Sequence, residues 1–223
     1  TDPVEPEGAT VVNFDGVKLL ASIATAAPFM GSDASRPWCN GLLIEGNTIS
    51  ATNNIILVQV QTMLEFPISV NLPFTAVAEL LRIKKAPIAL QVTQTSVTFH
   101  YEDNAWLKSQ LITSPWPNVN GMLNGECEPT TIDNRLFECL PSLVPFVDST
   151  GTVFLSGEGV STSLTEGMGA GVQIEELNMA GAFNLKMLQL LQGVAETADF
   201  TQYPKPCPFF GNGVKGIIVG MKV

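Results

Sequence analysis

Apolar residues recur along this chain in two alternating rhythms, a period near two and a period near three and a half. Ala9–Phe14 alternates and predicts a strand. Asp15 stands where it can cap a helix that Val17, Leu19, Leu20, Ile23 and Ala27 carry to about Met30. After a loop over Gly31–Pro37, Leu42–Ile44 and Thr48–Ala51 flank Glu45-Gly46-Asn47, a hairpin pattern. Ile55–Val60 and Phe66–Asn71 predict two further strands. Pro73 opens a second helix, where a missing N–H costs little, and Val77, Ala78, Leu80 and Leu81 keep helical spacing until Pro87. Strands at Ile88–Thr93, Val97–Tyr101 and Ala105–Ile112 follow, and Pro115-Trp116-Pro117 closes this half.

Asn120–Glu128 is rich in Gly, Asn and Glu and predicts a linker, after which the order repeats. Thr130–Ile132 predicts a strand. Asp133 caps a helix with Leu136, Phe137, Leu140 and Leu143. Val153–Leu155, Val160–Leu164 and Val172–Leu177 predict strands. A helix over Asn184–Glu196 precedes short strands near Phe200, Phe209 and Val214–Met221. Two echoes mark a duplication. Asp15 with Pro28-Phe29 matches Asp133 with Pro145-Phe146, and Phe74 before Leu80-Leu81 matches Phe183 before Leu190-Leu191. The expectation is an α+β protein of two similar domains, each with two helices packed on antiparallel sheets. Residues 1–8 would be a tail, 9–122 the first domain, 123–129 the linker and 130–223 the second domain.

Composition narrows the function class. Hydrophobic residues make up 45% of the 223, with mean hydropathy +0.25, enough for a sizeable core. No apolar run reaches the roughly 18–20 residues of a membrane helix. Thr1–Gly8 is acidic and proline-rich and reads as no signal peptide; the chain starts without Met, as a trimmed or excised piece would. Cys39, Cys127, Cys139 and Cys207 form no CxxC pair and His100 is the lone histidine, so a metal site is not expected. Scattered cysteines suit reduced core positions and a cytoplasmic setting.

Catalytic patterns are weak. His100 with Tyr101 and Glu102 makes no catalytic set and suits a half-exposed strand position. Ser156, Ser161 and Ser163 lack a nucleophile-elbow setting. Gly167-Met168-Gly169-Ala170-Gly171 lacks a phosphate-binding Lys and reads as a loop. Glu175 and Glu176 would point to opposite faces of a strand. The expectation is a non-enzyme without a cofactor.

The formal net charge of −10 argues against nucleic-acid binding unless the positive charges share one surface. They cluster: the four predicted helical stretches hold six of eleven basic residues but only five of 21 acidic ones. Two of those five, Asp15 and Asp133, sit at helix starts as caps.

Several segments resemble the last two domains of the bacterial β sliding clamp, the DNA polymerase III processivity factor. Arg36 through Asn40-Gly41 into Leu42-Leu43-Ile44 is similar to that family's Arg, Asn-Gly and apolar strand. Ser50-Ala51-Thr52 and Leu57 match its Ala-Thr-Asp-Gly-His-Arg-Leu segment, with Asn53-Asn54-Ile55-Ile56 in place of the middle. Leu72-Pro73-Phe74 with Glu79-Leu80-Leu81-Arg82 resembles its proline-started helix. Leu111-Ile112 with Trp116-Pro117 resembles its Leu-Ile-Asp-Gly-Phe-Pro segment, and Phe183-Asn184 with Leu188 its Phe-Asn-x-x-x-Leu helix. Ile217–Val223 resembles its C-terminal Met-Pro-Met-Arg-Leu, with Gly220 where the family has proline.

The resemblance implies a ring of six such domains whose helices surround duplex DNA without base readout. Two domains per chain would close as a homotrimer, unless a first domain precedes this chain. Its DNA-facing positions would be Arg82, Lys84 and Lys85, then Lys18, Arg135 and Lys186, with Arg36 nearby and Trp38 packed. A pocket for short apolar peptides of polymerases and clamp loaders would be walled by Cys39, Thr52, Leu57, Pro117, Met122, Val219, Met221 and Val223. A ring-forming structural or assembly protein without a DNA role is the alternative.

Overall fold

The computed structural model describes residues 10–222 other than Glu166 and Asn178; the expected tail over 1–8 and Val223 lie outside these residues. The chain divides into two compact units, Thr1–Asn54 with Val58–Asn118, and Ile55–Leu57 with Val119–Val223. The division falls between Asn118 and Val119, a few residues before the segment expected as linker.

The first unit begins with β1 (Thr10–Asn13) and α1 (Gly16–Ala26). Asp15 caps α1 as expected, its Oδ1 accepting from Val17 N at 3.0 Å and Lys18 N at 3.2 Å. Leu19, Ile23 and Ala26 recur at helical spacing and are fully buried. Pro28 cannot donate to the α ladder, and the chain tightens into a 3-10 turn over Ala27–Phe29. Two long strands follow, β2 (Gly41–Thr52) and β3 (Ile56–Pro73).

At this point the chain departs from the expected hairpin. Glu45-Gly46-Asn47 does not reverse the chain. Gly46 takes φ 54°, Thr48 Oγ1 donates to Glu45 O at 3.0 Å, and the strand continues. The stretches Ile55–Val60 and Phe66–Asn71 likewise belong mostly to a single strand. A glycine in the left-handed region marks a reversal only if the flanking residues pair with each other; here β2 pairs with β3 instead.

Helix α2 (Phe74–Ile83) starts with Pro73 as its extended cap and stops at Lys84, a C-cap with φ 57°. The strands β4 (Ala89–Val92), β5 (Ser96–His100) and β6 (Trp106–Gln110) complete an antiparallel sheet of order β1-β4-β5-β6. Phe99, Val97 and Leu90 join the buried face with Leu42, Ile44, Leu72, Val77 and Leu80. Each such side chain contributes about 1.5–3 kcal/mol through burial.

The second unit repeats the order. A helical turn, α3 (Asn120–Leu123), precedes β7 (Thr130–Thr131) and α4 (Asn134–Leu143), capped by Asp133 through Arg135 N at 2.9 Å. A 3-10 turn over Val144–Phe146 follows α4 just as one follows α1, so the first echo is a structural one. The partners differ in burial: Phe29 is fully buried and Phe146 is exposed. The strands β8 (Thr152–Ser156), β9 (Gly159–Ser161), β10 (Gly171–Gln173) and β11 (Gly181–Asn184) form a sheet of order β10-β9-β8-β11.

The second echo fails in detail, since Phe74 opens a helix and is exposed whereas Phe183 is a buried strand residue. Helix α5 covers only Leu185–Leu190 and not the expected run to Glu196. Gly193 at φ 75° and the turn Ala195 N to Leu191 O end it. The strands β12 (Thr197–Ala198), β13 (Cys207–Gly211) and β14 (Val214–Ile218) then line up as β7-β12-β13-β14, the same path as β1-β4-β5-β6. The short strand expected near Phe200 is β12, and Phe200–Gln202 itself is a 3-10 turn capped by the buried Asp199. Residues 55–57 lie beside β14, with Val219 N donating to Ile55 O at 2.9 Å.

Candidate nucleic-acid and peptide interface

All seven basic residues singled out for DNA are exposed, and most are answered by a nearby acid. Arg82, one turn beyond Glu79 on α2, holds its carboxylate with two hydrogen bonds of 2.8 and 2.6 Å. This pair pushes the Glu79 carboxyl below, and the Arg82 guanidinium above, its ordinary range. Lys85 pairs with Asp103, whose carboxyl is lowered by that hydrogen bond. Arg135 Nη2 lies 2.6 Å from the Asp133 carboxylate and lowers it in the same way. Lys18 and Asp15 are 3.6 Å apart on α1. Each pair is exposed and adds little stability. What the pairs change is the field: Lys84 and Lys186 are the two of the seven without an acidic partner among the described residues.

Arg36 sits in a hydrogen-bonded loop. Its Nη1 donates to Asn54 Oδ1 at 2.9 Å, and Asp33 stands 4.0 Å away. Asp33 N donates to Asn40 Oδ1 at 2.7 Å, and Asn40 Nδ2 returns a bond to Asp33 O at 2.9 Å. Hydrogen bonds from Ser35 hold the Asp33 carboxyl below its ordinary range, with Arg36 adding to the effect. Asn54, at φ 71°, also directs Nδ2 toward Cys39 Sγ at 3.7 Å. The replaced segment of the resemblance is therefore structured around this knot. Trp38 is packed, edge against Trp116 with ring centroids 5.3 Å apart, and its carbonyl accepts from Asn71 Nδ2 at 3.1 Å. The two tryptophans lie 78 positions apart, beyond what any local sequence pattern connects.

The proposed peptide-pocket residues fall in both units. In the first, Cys39 and Thr52 are buried while Pro117 is exposed. In the second, Leu57 is buried, Val219 and Met221 are half-buried and Met122 is 52% exposed. Val219 is bonded to Ile55, two residues before Leu57. Met221 is held at both backbone ends: its N–H donates to Ala182 O at 2.7 Å and its carbonyl accepts from Tyr203 Oη at 2.8 Å. A Cβ on Gly220 would come within 2.5 Å of the Tyr203 ring, which explains why proline is absent there. Tyr203 carried no signal in the sequence; its role depends on a fold that returns residue 221 to it.

The rejected catalytic patterns have structural places. His100 ends β5, half-buried, with Nε2 3.4 Å from Gln91 Oε1. Glu175 and Glu176 form a turn instead of the expected strand, with Glu176 at φ 62°. The glycine-rich stretch joins β9 to β10, closed by Thr162 N to Ala170 O at 2.8 Å. The four thiols are unpaired, and burial pushes Cys207 up to about 12. Among the described residues no cluster of three or more His, Cys, Asp or Glu is placed to hold a metal, and no helix is long and apolar enough to cross a membrane.

Known structures match this architecture over its whole length. A DNA polymerase III subunit beta from Borrelia burgdorferi superposes with a TM-score of 0.83 at 13% identity, covering 100% of this chain and 67% of that one. The chain has the sliding-clamp fold. The clamp of Pseudomonas aeruginosa, solved with griselimycin, gives 0.80 at 17% identity over 100% and 68% of the two chains. The Helicobacter pylori β clamp, bound to a DNA ligase peptide, gives 0.78 at 17% over 100% and 68%. No protein-family model and no curated relative matches the sequence. The clamp fold accounts for the repeated element order and for why identities this low still left the proline-started helix and the C-terminal strand legible.

Proposed function

We propose that this protein is a sliding clamp: a non-catalytic ring that encircles duplex DNA and tethers a polymerase by a short peptide. The clamp fold across the full chain carries this reading. The basic residues on or beside its helices support it. Six modules close a ring, so a chain supplying two would assemble head to tail as a homotrimer. Weak, sequence-independent contacts suffice when topology does the holding. Paired cations such as Arg82 with Glu79 suit a surface that slides without gripping.

The test is retention on nicked circular DNA followed by linearisation. A clamp stays on the circle after loading and runs off the cut DNA. Equal loss from both forms would sink the proposal. The heavy acid pairing of the helices favours one rival, a ring-forming assembly protein with no DNA role, and that protein would be retained on neither.

For the tether we infer a pocket walled by Cys39, Thr52, Leu57, Pro117, Met122, Val219, Met221 and Val223, which would receive apolar anchors from polymerase and loader peptides. Removing residues 221–223 is expected to abolish binding of a polymerase-derived peptide, read by fluorescence anisotropy with circular dichroism as the folding control. Undiminished affinity in the truncated, folded protein would exclude these residues from the pocket.

A further inference from the structure

Asparagine followed by glycine occurs four times, at Asn40-Gly41, Asn120-Gly121, Asn124-Gly125 and Asn212-Gly213. In this dipeptide the glycine nitrogen can attack the asparagine side-chain carbonyl, because no Cβ stands in its way and the backbone turns freely. The fold restrains three of the four. Asn40 is half-buried with its amide held at both ends, Oδ1 accepting from Asp33 N at 2.7 Å and Nδ2 donating to Asp33 O at 2.9 Å. A Cβ on Gly41 would fall 2.0 Å from Leu72 O, so that glycine is wedged against β3. Asn120 and Gly121 lie inside α3, whose turn is closed by Met122 N and Leu123 N on Val119 O. Asn212 and Gly213 make the tight turn between β13 and β14, clamped by the Gly211–Val214 pair, with Gly213 at φ 67°.

Asn124-Gly125 differs in both reacting groups. It follows α3, belongs to no helix or strand, and both residues are exposed. A Cβ on Gly125 would meet nothing within 4 Å, and the Gly125 N–H has no acceptor among the described residues. The nucleophile is therefore free to swing toward the side chain as Asn124 rotates from its ψ of 23°. The electrophile is prepared as well. Lys215 on β14 donates from Nζ to Asn124 Oδ1 at 3.1 Å. An ammonium on that oxygen draws electrons from Cγ and stabilises the negative charge that gathers on Oδ1 during attack, as an oxyanion hole does.

We propose that Asn124-Gly125 is a site of self-modification, where Lys215 promotes conversion of Asn124 to aspartate and isoaspartate. A solvent base takes the Gly125 amide proton, the nitrogen bonds to Asn124 Cγ, and Oδ1 carries the charge against Lys215. The Cγ–Nδ2 bond then breaks, and the amine takes a proton from water and leaves as ammonia. A cyclic imide remains. Water opens it at one carbonyl or the other, giving aspartate or isoaspartate. In sum one water is consumed and one ammonia released. The new carboxylate stands beside Lys215, two residues after Met122 of the inferred peptide pocket, and a converted chain is one unit more acidic than −10. The reaction needs neither the ring, nor DNA, nor an occupied pocket.

The full chain, aged in warm neutral buffer, is read by mass-spectrometric peptide mapping with fragment ions that locate each asparagine. Asn124 should convert at least about threefold faster than Asn40, Asn120 or Asn212, with isoaspartate accompanying aspartate. Lys215→Met should slow Asn124 at least about fivefold and leave Asn40 unchanged, whereas Lys215→Arg, which keeps the charge, should retain most of the rate. Circular dichroism checks the fold of both variants. In urea, where Lys215 no longer sits on the amide, wild type and Lys215→Met should convert Asn124 at one rate. Another Asn-Gly pair converting first, an equal native rate in Lys215→Met, or aspartate without isoaspartate would overturn the proposal.

Discussion

Replacing Arg82, Lys84 and Lys85 together by glutamate is expected to lower retention on nicked circular DNA at least about tenfold while leaving the fold intact. The fold should survive because all three side chains are exposed and exposed ion pairs such as their two add little stability. Retention should fall because the reversal adds charge where Glu79 and Asp103 already stand, and the two carboxylates lose the cations that mask them. A phosphate backbone passing the end of α2 would then meet five carboxylates. The wild-type protein makes a companion prediction. Arg82 and Lys85 exchange one anion for another when a phosphate approaches, so they release few counterions. Lys84 and Lys186 lack an acidic partner among the described residues, and two such contacts give a log–log salt slope of only about −2 per chain. A slope several times steeper would mean that the pairs open fully on DNA. Unchanged retention of the triple variant would remove α2 from the DNA-facing surface.

Asp199→Ala is expected to cost about 3 kcal/mol of stability, the largest single effect of any polar side chain described above. Asp199 is 2% exposed and its carboxylate accepts from Thr201 N at 3.1 Å, Gln202 Nε2 at 3.0 Å and Glu128 N at 3.0 Å, besides the Thr201 hydroxyl. Truncation strands those donors together. Burial acts to raise the acid's pKa, but the bonds from Thr201, Gln202 and Glu128 outweigh it and hold the group below its ordinary range. A lowered native pKa gives stability that is present above the unfolded aspartate value, about 3.9, and is lost as pH falls through the native one. Urea melts should therefore separate wild type from Asp199→Asn at pH 7 and bring them together toward pH 3. A constant separation would mean that the charge on Asp199 contributes nothing.

Local chemistry made much of the fold legible. Asp15 and Asp133 announce their helices because a carboxylate before an apolar repeat has one favourable use, and both cap as read. Leu19, Ile23, Leu136 and Leu140 fall on the buried faces that their spacing requires. Failures came where pairing partners lie far away. Whether Gly46 turns or merely bends a strand depends on β3, and no residue near Gly46 reports that. The α5 overextension has a similar cause: Leu190 and Leu191 keep helical spacing, but Gly193 decides the end by its positive φ. The candidate site was legible in part. Exposed cations could be named from composition by element, whereas their acidic partners across a turn, such as Asp103 for Lys85, could not. Trp116 and Tyr203 gained their meaning only from tertiary structure.

The backbone latch at Met221 gives the chain a built-in reporter. It has two phenols, one per unit: the Tyr101 hydroxyl has no hydrogen-bond partner among the described residues, and Tyr203 is bonded to the Met221 carbonyl. Ultraviolet difference spectra would see each ring in its own surroundings. Lifting the tail would strip the acceptor from Tyr203 and leave Tyr101 unchanged, so any binding that displaces residue 221 can be followed without an attached dye.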